Sequence, residues 1–247
     1  MKGLCVVTGG SRGIGRAVAH RMAADGYEVV VTGRDESALA ETAGSAPGPV
    51  KTAQMDVTDS DAVSSFFDGL AVDVLVNNAG IAPSAPVHRT TLEDWERTLK
   101  VNATGPFLCT RAVLAGMRER DRGRIITVAS VASHVGSRYI AAYAASKHAA
   151  LGFVRVVAAE VAGTGVTANA VCPAYVDTPM TDATIDRMGD KTGIAADAAR
   201  DLLADMVPLG RLLDPAEVAH AVAFLAAPES GAINGQSIIL DGGGIQK

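Results

Sequence analysis

Tyr143 and Lys147 stand four residues apart at the start of the alanine-rich run Tyr143-Ala144-Ala145-Ser146-Lys147. On an α-helix positions i and i+4 share a face, so phenol and ammonium can point into one pocket about one turn apart. A free tyrosine, with a pKa of about 10, is a poor acid or base at neutral pH, and a cation beside it favours the phenolate. Lys147 is expected to supply that cation and lower the pKa of Tyr143. A hydroxyl joins them: Arg124 to Ala129 reads as a strand ending at Ser130, thirteen residues before Tyr143. At the carboxyl end of a central strand it faces the ligand crevice, where it can donate to a substrate oxygen while Tyr143 passes a proton. Ser133 competes with Ser130 by position, and His134 in the same loop could line the pocket. His148 projects about 100° away from Lys147 and is given no catalytic role.

These groups need a reactant held beside them, and the first part of the chain reads as its cradle. Leu4 to Val7 is a short apolar run that breaks into Thr8-Gly9-Gly10-Ser11-Arg12-Gly13-Ile14-Gly15, followed by a helical pattern at Ala17, Val18, Arg21 and Met22. A strand turning through glycines into a helix aims backbone N–H groups and a helix N-terminus at a phosphate. Glu28 to Thr32 reads as the second strand. An acid at its end binds adenosine ribose hydroxyls, whereas an arginine there suits a 2′-phosphate. Gly33-Arg34 occupies that place, 18 residues after Gly15, with no carboxylate to repel a phosphate. Arg12 and Arg34 could flank it as two guanidiniums, which favours NADP(H) over NAD(H). The alternative leaves both arginines as solvated charges and gives the ribose to Asp35.

The elements that must position these groups alternate between short strands and helices. Strands are expected at Val50 to Met55 and Val72 to Val76, with a helix over 59–69 between them, and the last strand at Gln236 to Leu240. That alternation predicts an α/β fold, a parallel sheet with helices on both faces whose ligands sit beyond the strands' carboxyl ends. Asp56-Val57 and Asn77-Asn78-Ala79-Gly80 fall at such ends. A long helical segment over 92–118 contains Pro106, which cannot donate to the carbonyl of Asn102. That carbonyl is expected to hold a water, unless the kink serves packing alone. Residues 181–206, rich in Asp and Ala and broken by Gly189 and Gly193, read as an irregular, mobile lid. Asp214-Pro215-Ala216-Glu217 reads as a capped helix start.

Composition narrows the class. The 247 residues, 48% hydrophobic and 20% charged, suit one domain over 1–247. A net charge of −5 without a Lys/Arg-rich run argues against nucleic acid or an anionic membrane as partner. No run of about 18 apolar residues appears, and the run after Lys2 is too short for a signal core, so a cytoplasmic protein is expected. Cys5, Cys109 and Cys172 are far apart with no ligand spacing, which predicts buried thiols and no metal site.

Taken together, Thr8 to Gly15, Asp56-Val57, Asn77 to Gly80, Asn102, Ser130, Tyr143-x-x-x-Lys147 and Cys172-Pro173-Ala174-Tyr175-Val176-Asp177-Thr178-Pro179-Met180 resemble, in order and over the whole chain, the short-chain dehydrogenase/reductase family. The resemblance implies a single-domain Rossmann fold with a seven-stranded parallel sheet and a catalytic tetrad of Asn102, Ser130, Tyr143 and Lys147. In it Tyr143 is the acid/base, Lys147 binds the nicotinamide ribose and lowers the tyrosine, Ser130 holds the carbonyl, and Asn102 supports a water in the proton relay. Cofactor contacts are implied for Gly9, Ser11, Arg12, Gly13, Ile14, Gly15, Arg34, Asp56, Val57, Asn78, Ala79, Gly80, Pro173, Val176 and Thr178, besides Tyr143 and Lys147. Asp56 lies near the adenine, and Val176 and Thr178 at the nicotinamide carboxamide. The chain departs from the pattern at Ala174, where glycine is usual, and at Ala129. A homotetramer is also implied.

Within the family the chain looks most similar to 3-oxoacyl thioester reductases and polyketide ketoreductases. The expectation is NADPH-dependent reduction of a β-keto thioester or related ketone, carried on CoA or an acyl carrier protein. Oxidation of a free secondary alcohol is the alternative with the same chemistry. A non-catalytic NADP(H) sensor is the alternative of another class. Arg138, Arg187 and Arg211 are the cations that could meet a carrier arm.

Overall fold

The computed structural model describes residues 2–246 of the 1–247 read as one domain. Seven strands form one sheet in the order β3-β2-β1-β4-β5-β6-β7: β1 (Leu4–Thr8), β2 (Glu28–Gly33), β3 (Val50–Gln54), β4 (Val72–Asn77), β5 (Gly123–Val128), β6 (Val166–Pro173) and β7 (Ser237–Leu240). Every pairing is parallel. Parallel neighbours need crossovers, which helices on both faces supply: α1 (Gly13–Ala24), α2 (Glu36–Gly44), α3 (Ser60–Phe67), α4 (Leu92–Leu99), α5 (Gly105–Glu119), α6 (Ala141–Glu160), α7 (Pro179–Thr192), α8 (Ala196–Asp205) and α9 (Pro215–Ala226). The period-two side-chain alternation divides the apolar residues of β1 between two cores. Cys5 and Val7 join the cluster under α1 and α9, and Val6 joins the one under α5 and α6.

The strand order reverses between β1 and β4, and a crevice opens at the carboxyl ends of strands at such a point. Two segments differ from the sequence reading. The expected single helix over 92–118 is two, α4 and α5, joined by a π turn at Lys100–Thr104 in which Gly105 N–H bonds the Lys100 carbonyl. Pro106 then falls in the first turn of α5, where a missing N–H is tolerated. Residues 181–206 are not irregular: they form most of a helical hairpin, α7 and α8, that turns at Gly193 (φ 74°) and has its own small core of Ile185, Ala199 and Leu203. The capping box at Asp214 and Glu217 stands as read.

Candidate active site

The glycine turn after β1 is locked to its surroundings on two sides. Gly9 (φ 65°) and Gly13 (φ 53°) take left-handed backbone. A Cβ on Gly9 would meet the Ala79 Cα at 2.8 Å, and one on Gly13 the Thr178 side chain at 3.1 Å. Asn78 Nδ2 donates to the carbonyls of Thr8 (2.9 Å) and Gly9 (3.0 Å), and the Thr8 hydroxyl accepts from the N–H groups of Asn78 (3.0 Å) and Ala79 (3.2 Å). Asn78-Ala79-Gly80 thus clamps the ends of β1 and β4 together. Arg12 sits at the N-cap of α1 and makes no side-chain cap bond there.

Arg12 and Arg34 are exposed, and neither forms an ion pair among the described residues. Asp35, the competing ribose ligand, instead caps α2 by accepting the Ala38 N–H at 3.1 Å. Burial pushes the Asp56 carboxyl up, but the N–H and hydroxyl of Thr58 and the charges of Arg34 and Lys100 outweigh it and hold the group below its ordinary value. Val57 packs against Gly105 closely enough that a Cβ there would lie 2.9 Å from its Cγ2.

The other end of the crevice is buried and wired. Asn102 Oδ1 accepts the Ile81 N–H (2.9 Å), while its Nδ2 donates to the Ile81 carbonyl (2.9 Å) and to the Ser146 hydroxyl (3.0 Å). Ser146 in turn donates to the Tyr143 carbonyl at 2.7 Å, so one amide joins the loop after β4 to the first turns of α6. Ser130 caps a short 3₁₀ turn at Val131–Ser133, its hydroxyl accepting the Ala132 N–H at 3.1 Å. Ser130 stands close enough to the Tyr143 phenol to pull its pKa down, whereas the buried hydroxyl of Ser133 has no hydrogen-bond partner among the described residues. His134 closes the turn through its N–H to the Val131 carbonyl, and exposed His148 bonds back to the Ala144 carbonyl at 2.9 Å.

Lys147 corrects one expectation. Its Nζ lies 5.7 Å from the centre of the Tyr143 ring and donates to the Val128 carbonyl at 2.8 Å. Burial dominates both groups: it pushes the phenol of Tyr143 up, against the pull of Ser130, and brings Lys147 down to about 8. The expected lowering of Tyr143 is therefore absent. Behind the pair, burial raises the Cys172 thiol to about 11 against the opposing pull of the Ser130 backbone and the Lys147 charge. Cys5, Cys109 and Cys172 are all free and buried, and no cluster of metal-ligating side chains occurs among the described residues.

Pro173 ends β6. Beyond it the Val176 carbonyl accepts the hydroxyls of Thr181 (2.6 Å) and Thr178 (3.3 Å), and Thr178 opens α7. Ala174, in the place where glycine is usual, has no left-handed φ, and its N–H joins the Leu240 carbonyl at 2.9 Å, so the alanine is accommodated without strain. The hairpin reaches back across the crevice: Arg187 donates to the Ala82 carbonyl (3.1 Å) and Lys191 to that of Ser84 (3.2 Å). Arg211 is held by Glu217 at 2.7 and 2.9 Å. The sequence reading gave no role to Thr8, Ser146 or Cys172, although all three lie inside the motifs it used. A polar side chain within a catalytic motif and facing neither solvent nor reactant was the available signal.

A glycine turn at the switch point and a Ser-Tyr-Lys set beside it on β5 and α6 define a dinucleotide-dependent oxidoreductase architecture. The chain belongs to the short-chain dehydrogenase family, whose description "short chain dehydrogenase" matches residues 4–204. It is 38% identical over 245 residues to the 3-oxoacyl-[acyl-carrier-protein] reductase FabG of Vibrio cholerae, covering 97% of this chain and 96% of that one. It is 36% identical over 256 residues to the acetoacetyl-CoA reductase of Shinella zoogloeoides, covering 98% of each. Among solved structures, a variant of actinorhodin polyketide ketoreductase with NADPH superposes with a TM-score of 0.94 at 34% identity, over 98% of this chain and 97% of that one. No helix among the described residues is long and apolar enough to cross a membrane.

Proposed function

We propose that this protein is an NADPH-dependent ketoreductase that reduces a β-keto acyl thioester, or a related polyketide-like ketone, to the secondary alcohol. The observation that carries the reading is the gathering of Ser130 and the Tyr143 phenol beyond the carboxyl end of β5, with the Lys147 ammonium 5.7 Å from the centre of the ring. The substrate class is supported by the three relatives named above, a 3-oxoacyl and an acetoacetyl thioester reductase and a polyketide ketoreductase, although similar solved structures also include a gluconate 5-dehydrogenase and a levodione reductase.

The residues present fit a 2′-phosphorylated dinucleotide. Two guanidiniums without carboxylate partners stand at the ends of β1 and β2, and the nearby acid, Asp35, is committed to a helix cap. Gly9, Ser11, Arg12, Gly13, Ile14 and Gly15 would present backbone N–H groups and the N-terminus of α1 to the pyrophosphate. Arg12 and Arg34 would hold the 2′-phosphate, Asp56 and Val57 the adenine, and Asn78-Ala79-Gly80 the adjoining ribose. Pro173, Val176 and Thr178 would border the nicotinamide. When bound, this group supplies the hydride.

The chain's own residues manage the oxygen. Ser130 and Tyr143 would both donate to the substrate carbonyl, and Tyr143 would give up its proton as the alkoxide develops. A phenol raised by burial stays protonated at neutral pH, which is the form a proton donor needs. Lys147, still largely charged below about 8, would bind the nicotinamide ribose and replenish the tyrosine's proton. Asn102 would hold the relay in place through Ile81 and Ser146. The α7–α8 hairpin acts as a lid over 181–206 extended back to Pro179. We place the enzyme in the cytoplasm as a homotetramer, acting on substrates carried by CoA or an acyl carrier protein.

The test is initial rates with NADPH and NADH on acetoacetyl-CoA and a panel of cyclic and aromatic ketones, with Tyr143→Phe as control. The expected result is NADPH-dependent thioester reduction that falls about 10²- to 10⁴-fold in the variant while NADPH still binds. Turnover of a free alcohol alone would overturn the substrate class. Binding without turnover on the whole panel would point to a sensor.

A further inference from the structure

The carbonyl of Ser11, in the middle of the glycine turn, is gripped from two sides by groups that touch no reactant. Arg16 on α1 donates to it from Nη2 at 2.8 Å, and the hydroxyl of Thr42 on α2 lies 3.1 Å from it, its one proton shared between this carbonyl and that of Ala38, also at 3.1 Å. The two gripping groups are bonded to each other, Arg16 Nε to Thr42 Oγ1 at 3.0 Å, and Arg16 Nη2 also reaches Glu41 at 3.2 Å. Thr42 is fully buried. One carbonyl thus ties the glycine turn, α1 and α2 into a single joint.

The next residue is Arg12. The Ser11–Arg12 peptide is trans and planar, so the Arg12 N–H points opposite to the Ser11 carbonyl. Gripping that carbonyl fixes the peptide plane from which the Arg12 Cα departs. α2 begins directly after Arg34 and Asp35, at the end of β2. The joint therefore fixes the spacing between two elements that each carry one exposed, unpaired guanidinium.

We propose that Arg16 and Thr42 are positioning residues that set the separation of Arg12 and Arg34, and through it the preference for a 2′-phosphorylated over an unphosphorylated dinucleotide. The inference rests on the cofactor reading above and deepens it: the selectivity depends on a joint that never contacts the phosphate. A displaced Arg12 removes one of the several backbone N–H groups proposed for the pyrophosphate and costs that contact little, whereas the 2′-phosphate needs both guanidiniums at once.

The experiment measures dissociation constants of NADPH, NADH, 2′,5′-ADP and 5′-AMP by calorimetry, without turnover, for the parent, Thr42→Val, Arg16→Met and Arg16→Lys, each checked for an unchanged unfolding midpoint. Thr42→Val changes no charge and keeps the side chain's shape. In Thr42→Val and Arg16→Met, NADPH and 2′,5′-ADP should weaken by about tenfold while NADH and 5′-AMP stay within about twofold. Arg16→Lys should recover part of the loss. Equal weakening of all four ligands, or no weakening in Thr42→Val when Arg16→Met weakens, overturns the joint, the latter because the charge of Arg16 would then act directly. A parent that binds NADPH no more tightly than NADH sinks the cofactor reading instead, and is seen before any variant is made.

Discussion

The two ends of the crevice are built on opposite principles. At the proton-handling end, Asn102, Ser130 and Lys147 are buried, and each is held by hydrogen bonds to backbone or to one another. At the phosphate end, Arg12 and Arg34 are exposed and free of ion pairs among the described residues, and only the backbone beneath them is fixed, at the Ser11 carbonyl by Arg16 and at the Arg34 carbonyl by Gln54 Nε2. Moving a proton requires pKa values set by burial and distances held closely, so its groups belong to the core. Recognising a dianion requires charge at the right separation, which long solvated side chains supply at little cost to the fold. The first end should therefore trade stability against activity, and the second affinity against nothing in the fold.

The sharpest way to break that distinction is Asn102→Leu. The substitution leaves the N–H and carbonyl of Ile81 without their partner and takes one from Ser146, and each buried orphan costs about 1–3 kcal/mol. Urea denaturation should show a loss of roughly 3 kcal/mol or more, together with a large fall in kcat. Full stability with lost activity would mean that Asn102 works on the reactants and not through the loop.

Lys147→Met probes the same end with the opposite sign. Burial lowers Lys147 from 10.5 to about 8, so between those values the unfolded chain holds a proton that the native state has released. Stability then rises with pH across about 8 to 10.5, and below that window the buried charge costs the fold roughly 3 kcal/mol. Lys147→Met should abolish activity, raise the unfolding free energy at pH 7 by about 1–3 kcal/mol after the lost bond to Val128 is allowed for, and flatten the rise above pH 8. A variant less stable than the parent at pH 7 would show that the hydrogen bond outweighs the burial of charge.

Arg34→Asp tests the other end. It should leave the unfolding midpoint unchanged and shift the ratio of NADPH to NADH affinity by about a hundredfold toward NADH, since a cation is replaced by a charge that repels the phosphate. The effect should shrink as salt is raised. A fall in stability comparable to that of Asn102→Leu would erase the contrast between the two ends.

The same contrast governs what the sequence made legible. Position alone left Ser130 competing with Ser133, and only the family resemblance chose between them, whereas the glycine turn and the Tyr143-Lys147 spacing could be read as local patterns. The strands were placed within a residue or two for the same reason, but β6 was not singled out as a strand: buried Asn169 interrupts it, and only the structure shows its side chain paired with the Ile233 carbonyl and the Gln236 N–H. Pro106 announced a disturbance in the helix without revealing that a π turn would absorb it. The raised pKa of Tyr143 was out of reach, because it depends on burial, with Tyr175 and Cys172 brought near it from far along the chain. Gly189 and Gly193 made 181–206 look irregular; Gly193 is instead the left-handed C-cap of α7, and Gly189 sits within that helix.

That hairpin is the region intermediate between the two ends, with its own small core yet tied to the crevice wall by single side chains. Arg187 bonds the Ala82 carbonyl and the Thr184 hydroxyl, and Lys191 the Ser84 carbonyl, directly after the Ile81 that Asn102 holds. Such bonds contribute about 1 kcal/mol each, and the buried Arg187 Nε, which lacks a partner among the described residues, offsets part of that. Hydrogen exchange on the Arg187→Ala/Lys191→Ala double variant should therefore show α7 and α8 opening about tenfold more often, with the sheet as protected as in the parent. The KM for the ketone should change while NADPH affinity does not, because the tied loop lies beyond the Asn78-Ala79-Gly80 segment proposed for the cofactor. Unchanged protection across 179–205 would mean that Ile185, Ala199 and Leu203 hold the hairpin as one body with the sheet, and a closing lid would then have no hinge to move on.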